Sequence, residues 1–232
     1  MKPGAVSRSP FEPGFTDLPQ IIPVFPLSGV LLLPHGKLPL NVFEPRYLAM
    51  TSDALGGQRI IGMIQPTQQE KPEAGDHPAL YHTGCAGRIV QFTETEDGRF
   101  LITLHGLCRF IVKQELALQR GYRRVIVDWG KYRSDIDTDT VAHAHAVVDR
   151  ERMLRAAKAF FHLNKLDANW DAIKETPDDR LVTALSMICP FAPPEKQGLL
   201  ECGDTAERAK VLTALMEMAL LGPPPAGGQA VN

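Results

Sequence analysis

Residues 21–47 read IIPVFPLSGVLLLPHGKLPLNVFEPRY, and no other stretch restricts the fold as much. Most positions are apolar, proline or glycine, so the segment has to be buried against something. Pro23, Pro26, Gly29, Pro34, Gly36 and Pro39 forbid one long helix, because a proline inside a helix removes an amide donor and clashes with the preceding turn. What remains is a set of short extended pieces at residues 21–25, 30–33 and 38–43, whose β-branched and aromatic content suits a pleated surface. Pro45 is placed to open a helix through Leu48, Met50 and Leu55, which Gly56-Gly57 ends.

A chain of 232 residues with 44% hydrophobic content buries its own core, as one large domain or two small ones. The net charge of −2 supplies no general field for nucleic acid or an acidic membrane. Cys85, Cys108, Cys189 and Cys202 lie far apart with no Cys-x-x-Cys pair, which predicts buried thiols in a reducing cytoplasm rather than disulfides or zinc. The first sixteen residues hold no apolar core, so no secretory signal is expected, and the apolar run at 30–33 is far short of the ~20 residues a membrane span needs.

Residues 1–17 are polar and proline-rich and are expected to form a disordered or loosely attached arm. A strand over 59–64 precedes a polar loop over 65–80, a length that inside a compact domain often signals function. From 82 to 128 the pattern is β throughout: Asp97-Gly98 marks a hairpin, Phe100, Ile102 and Leu104 share one face, Gly106 is expected to break the run, and further strands cover 108–113 and 122–129. So many short strands predict a curled sheet or a partly closed barrel. Residues 135–140 read as an acidic boundary, after which Val141, Ala144, Val148, Leu154 and Phe161 recur at roughly helical spacing. Thr176-Pro177-Asp178-Asp179 reads as the cap of a helix over 180–188, Pro193-Pro194-Glu195 opens another to Glu201, and Asp204 with Glu207 forms a capping-box pattern ahead of Val211, Leu212, Leu215 and Met218. Residues 222–232 read as a flexible tail.

Several of these stretches together resemble the substrate-binding N-terminal domain of the ATP-dependent Lon protease and its free-standing bacterial relatives. They are Pro23-Val24-Phe25-Pro26-Leu27, Pro34, Pro39-Leu40, Phe43-Glu44-Pro45-Arg46-Tyr47, Ile61-Gly62-Met63-Ile64, residues 84–89, Asp97-Gly98, Gly106-Leu107-Cys108-Arg109-Phe110 and residues 196–201. The resemblance covers roughly 18–221. It implies an α+β fold: an N-terminal PUA-like twisted β-barrel or sheet domain over 18–134, followed by a C-terminal α-helical bundle over 135–221. The full protease also carries an ATPase and a Ser-Lys peptidase module, for which this sequence leaves no room, so the expectation is a protein that is not an enzyme.

No catalytic constellation stands in the sequence. Residues 29–37 have the glycines and lysine of a phosphate loop, but the spacing is wrong and Leu38 occupies the place of the magnesium-binding hydroxyl. His143 and His145 diverge on a predicted helix, and His77 with His82 lacks a third ligand, so no metal and no cofactor is expected. The candidate polypeptide-binding residues are Phe25, Pro26, Leu27, Leu31, Leu33, Glu44 and Arg46, each set against a structural role in core or cap. The expected function is non-catalytic binding of exposed or unfolded polypeptide, or of a partner protein such as a separate ATPase or protease. The alternative is an RNA-binding module using the basic residues Arg109, Lys113, Arg120, Arg123, Arg124, Lys131 and Arg133; nucleic acid is the less favoured partner, because strand alternation scatters these side chains over both faces.

Overall fold

The proline-broken segment forms two strands joined by a buried arch. In the computed structural model, which describes residues 13–67, 78–136 and 148–222, β1 is Ile21–Pro26 and β2 is Lys37–Val42. Residues 30–33, expected as a strand, join no ladder. Gly29 and His35 turn the chain at positive φ on either side, and Leu31, Leu32 and Leu33 are all buried, where a strand would alternate. The arch is fastened instead by a turn bond from the Gly36 amide to the Leu33 carbonyl and by a bond from the His35 amide to the distant Gly106 carbonyl.

The remaining strands are β3 (Ile60–Ile64), β4 (Thr83–Glu94), β5 (Phe100–Gln119) and β6 (Tyr122–Asp128). β1 pairs in parallel with β3, β3 with β4, β4 with β5, β5 with β6, and β6 returns to β1, the last four antiparallel, so the ladder closes on itself. β2 attaches outside this ring, antiparallel to the first part of β5. One strand can serve two partners in this way only by being long and irregular, and β5 carries register shifts against both β4 and β6. Gly106 does not break β5, contrary to expectation; it lies within the strand because a Cβ there would overlap the Leu33 carbonyl of the arch. The hairpin at Asp97-Gly98 is present, with Gly98 at φ 78°.

Strand alternation divides the core. Ile22, Val24, Ile60, Ile64, Ala86, Cys108, Phe110, Val125 and Val127 form one cluster inside the ring. Their neighbours Phe25, Ile61, Met63 and Cys85 point the other way and join a second cluster with the arch leucines and the helices. The Phe110 ring fills the ring interior against Trp129.

Helix α1 (Pro45–Leu55) begins at Pro45 and is capped at Gly56, as the sequence predicts. The second half holds α2 (Arg150–Leu163), α3 (Trp170–Glu175), α4 (Asp178–Ile188), α5 (Pro193–Glu201) and α6 (Thr205–Leu220). Asp149, Asn169 and Asp204 cap α2, α3 and α6 through their side chains. α3 was not expected, and it claims Thr176, whose hydroxyl bonds back to the Ala172 carbonyl instead of capping α4. The Asp204–Glu207 pattern is half a capping box: Asp204 accepts from the Glu207 amide, but Glu207 accepts from Gly203. Val141, Ala144, His77, His143, His145, most of the 65–80 loop, most of the 135–140 boundary, residues 1–12 of the arm and nearly all of the tail lie outside the described residues; the end of the arm forms a short 3-10 turn over Phe15–Asp17.

Candidate binding surface

The arch and α1 bring the sequence-nominated residues together, mostly on the inside. Phe25 is buried and packs on Tyr47, ring centroids 4.1 Å apart, and Leu31 and Leu33 lie in the cluster that meets the helices. Pro26 and Leu27 are half-buried, and the Leu27 amide bonds the Ile64 carbonyl. Glu44 occupies the position before α1 but makes no capping bond with its side chain; it pairs with Arg46 at 2.8 Å, both half-exposed. The Arg46 guanidinium lies 4.7 Å over the Tyr47 ring. Burial of Tyr47 pushes its hydroxyl pKa up, partly offset by Arg46.

A wide depression lies elsewhere on the β half, across β2, β5 and β4. It measures about 820 Å³ and is lined by Pro39, Asn41, Val90, Gln91, Phe92, Thr93, Leu101 and Thr103 among others. The register explains the lining: Pro39, Thr103 and Gln91 are aligned across three strands, as are Asn41, Leu101 and Thr93, so both rows face the same side. A register shift between Ile89 and Gln91 accommodates Val90 as an extra residue. The floor is tied by the Thr103 hydroxyl donating to Gln91 at 2.8 Å. Of the residues lining the depression, Val90 and Leu101 are 48% and 45% exposed, whereas Phe92, aligned with Ile102 and Leu40, belongs to the opposite row and meets Phe100 edge-on. Sequence reasoning missed this surface, although one signal was present: Leu101 is apolar on the opposite phase from the inward-facing Phe100, Ile102 and Leu104 row.

The basic stretch is largely consumed by internal partners. Arg109, expected on a solvated strand face, is buried; it grips Asp135 with two nitrogens at 2.8–2.9 Å and donates to the Leu200 and Cys202 carbonyls. Arg123 is likewise buried and forked onto Glu115 at 2.6 Å, with a further bond to the Pro78 carbonyl. Arg120 pairs with Asp53 and Lys113 with Asp128, while Arg133 covers the Phe15 ring and Lys131 the Tyr132 ring. Arg124 donates to the Ala117 carbonyl.

Several family landmarks prove to be ties between strands and helices. Gln65 accepts from the Gly29 amide and donates to Pro193 and Gln197, Gln197 donates to the Thr83 carbonyl, and the Lys196 ammonium donates to the Gly29 and Met187 carbonyls. Burial pulls the Lys196 pKa down. All four cysteines are buried thiols, as expected; burial raises the pKa of Cys189 to about 12. A smaller cleft of about 210 Å³ opens beside Asp53, which accepts from Tyr122 at 2.8 Å and from Arg120. Among the described residues no group of three His, Cys, Asp or Glu is placed to hold a metal ion, and no helix is long and apolar enough to cross a membrane.

The relatives agree with this architecture. The chain is 32% identical over 114 residues to Lon protease 2 of Myxococcus xanthus, covering 48% of this chain and 13% of that protein. It is 26% identical over 210 residues to Lon protease of Dictyoglomus thermophilum, covering 85% of this chain and 24% of that one. The chain thus spans a quarter or less of the length of these relatives. Two solved structures share the fold: a Lon N-terminal domain protein from Xanthomonas campestris, with TM-score 0.55, 23% identity and coverage of 84% and 97%, and the N-terminal domain of Mycobacterium avium complex Lon protease, with TM-score 0.57, 15% identity and coverage of 85% and 98%. The model of the ATP-dependent protease La (LON) substrate-binding domain matches residues 21–218, and this chain belongs to that family.

Proposed function

We propose that this chain binds exposed or unfolded segments of polypeptide without converting them chemically, and that the depression across β2, β5 and β4 is where they rest. Family membership supports polypeptide binding in general. The observation that carries the location is the pair Val90 and Leu101, large apolar side chains left half in water in the lining of one open surface. Of the residues nominated from sequence, Pro26, Leu27, Glu44 and Arg46 keep contact with solvent and form a second, smaller contact area beside α1; Phe25, Leu31 and Leu33 support it from beneath. The non-enzymatic reading rests on the lack of a catalytic constellation in the sequence. A separate ATPase or protease is the natural recipient of what such a protein holds, and buried free thiols suit a cytoplasmic setting. RNA binding draws little support from cations already committed to Asp135, Glu115, Asp53 and Asp128.

The test is a fluorescence-anisotropy titration of the purified chain into labelled, reduced and carboxymethylated α-lactalbumin, a permanently unfolded probe. Saturable binding that an apolar peptide competes away is expected, with little dependence on salt. Leu101→Asp should weaken it about tenfold, equivalent to about 1.4 kcal/mol. Absence of saturable binding would end the proposal, and a steep salt dependence with a labelled RNA oligomer would replace it with the RNA reading.

A further inference from the structure

The strand at the rim of the depression has an open side. β2 pairs with β5 along one edge, and its other edge has no strand partner among the described residues. The Gly106 amide donates to the Gly36 carbonyl, which makes Lys37 and His105 a non-hydrogen-bonded pair and sets the phase of everything after it. Leu38, Leu40 and Val42 therefore spend their backbone groups on β5. Lys37, Pro39 and Asn41 turn theirs to the open edge, which presents two N–H donors and three carbonyl acceptors. Pro39 is tolerated in a strand because its missing donor falls on that side.

We propose that this edge takes an extended segment of the bound polypeptide as an added β-strand; the inference rests on the polypeptide-binding reading and specifies its geometry. An arriving strand finds five of the six bonds that three edge residues would offer, lacking only the donor of Pro39. A second copy of this chain fits badly. Two β2 edges paired about Pro39 would set each Pro39 carbonyl against a ring nitrogen that carries no hydrogen, so the edge accepts foreign strands better than its own. Side chains of the added strand alternate: one set lies beside Pro39 and Asn41 at the depression, the other covers Leu38 and Leu40, which are only half-buried at the margin of the core. The occupant is thus an extended segment with apolar residues at every second position and no proline where its amides meet the Lys37, Pro39 and Asn41 carbonyls.

The experiment uses the full chain and two probes, the labelled unfolded α-lactalbumin and a fluorescein-labelled decapeptide alternating valine and threonine. Asn41→Pro removes an edge donor and touches no bond to β5, so it should keep the wild-type fold by circular dichroism and lower affinity for both probes at least tenfold. Peptides N-methylated on the valine amides or on the threonine amides test the wild-type protein directly. One phase should lose at least tenfold and the other should bind as the parent does. Equal binding by both phases, or unchanged affinity of a folded Asn41→Pro variant, would overturn strand addition while leaving polypeptide binding intact. Failure of the wild-type chain to bind either probe would overturn both readings. A wild-type dimer in sedimentation that Asn41→Pro dissolves would assign the edge to a second copy and overturn the proposal.

Discussion

Arg109 shows what a single residue does here. Its guanidinium links β5 to Asp135 on one side and to two carbonyls at the C-terminal end of α5 on the other, in a site closed to water. Removing one partner of such a pair strands the other, so Arg109→Met should cost about 3–5 kcal/mol in urea denaturation. Gly106→Ala should cost about 3 kcal/mol by forcing the arch off β5, measurable in the same way. The Tyr122 to Asp53 bond gives a pH signature. The Tyr122 hydroxyl, then Arg120 and Gln119, hold the Asp53 carboxyl below its ordinary range, while burial and Asp53 lift Tyr122 to about 12. A lowered acid pKa stabilises the fold above the unfolded carboxylate range and is lost as pH falls through the folded value; a raised tyrosine pKa stabilises below about 10 and is lost as pH climbs toward about 12. Tyr122→Phe should therefore cost about 1–2 kcal/mol near pH 7, a difference that fades on acidification, as denaturation midpoints across pH would record. None of these partnerships was legible from sequence. Asp135 lies 26 residues from Arg109 and Asp53 lies 69 from Tyr122, so local pattern gave the cations as solvated.

At the level of elements, legibility followed local chemistry. Pro45 at the start of α1, the hairpin at Gly98 and the Asp204 cap were readable because each is decided within a few residues. Asp204→Ala should accordingly lower stability by about 1 kcal/mol, seen as a lower thermal midpoint. Errors arose where a distant element decided the outcome. Residues 30–33 carry the composition of a strand, yet the turns at Gly29 and His35 lead them over Gly106, where no ladder awaits them. α3 is six residues long, too short for periodicity to announce it. The depression depends on which strands neighbour β5 and on the bulge at Val90, neither of which a linear pattern records.

For the whole molecule, the α+β order was correct, strands preceding the helical bundle, with α1 alone set among the strands. Along the chain β6 ends at Asp128 and α2 begins at Arg150, while the buried cluster runs from Leu31, Leu32 and Leu33 through Met153, Leu185, Leu199 and Leu212. We expect the two halves to unfold together, with near- and far-ultraviolet circular dichroism tracing one coincident thermal transition; two separate transitions would show independent domains. The return of β6 to β1 has a consequence for synthesis. The first strand to leave the ribosome meets its last neighbour only after residue 128 has been made, and Arg109 waits for carbonyls at 200 and 202. Until then the nascent chain carries its greasy leucines with no lid over them. For much of its birth, this protein is the kind of object it is proposed to hold.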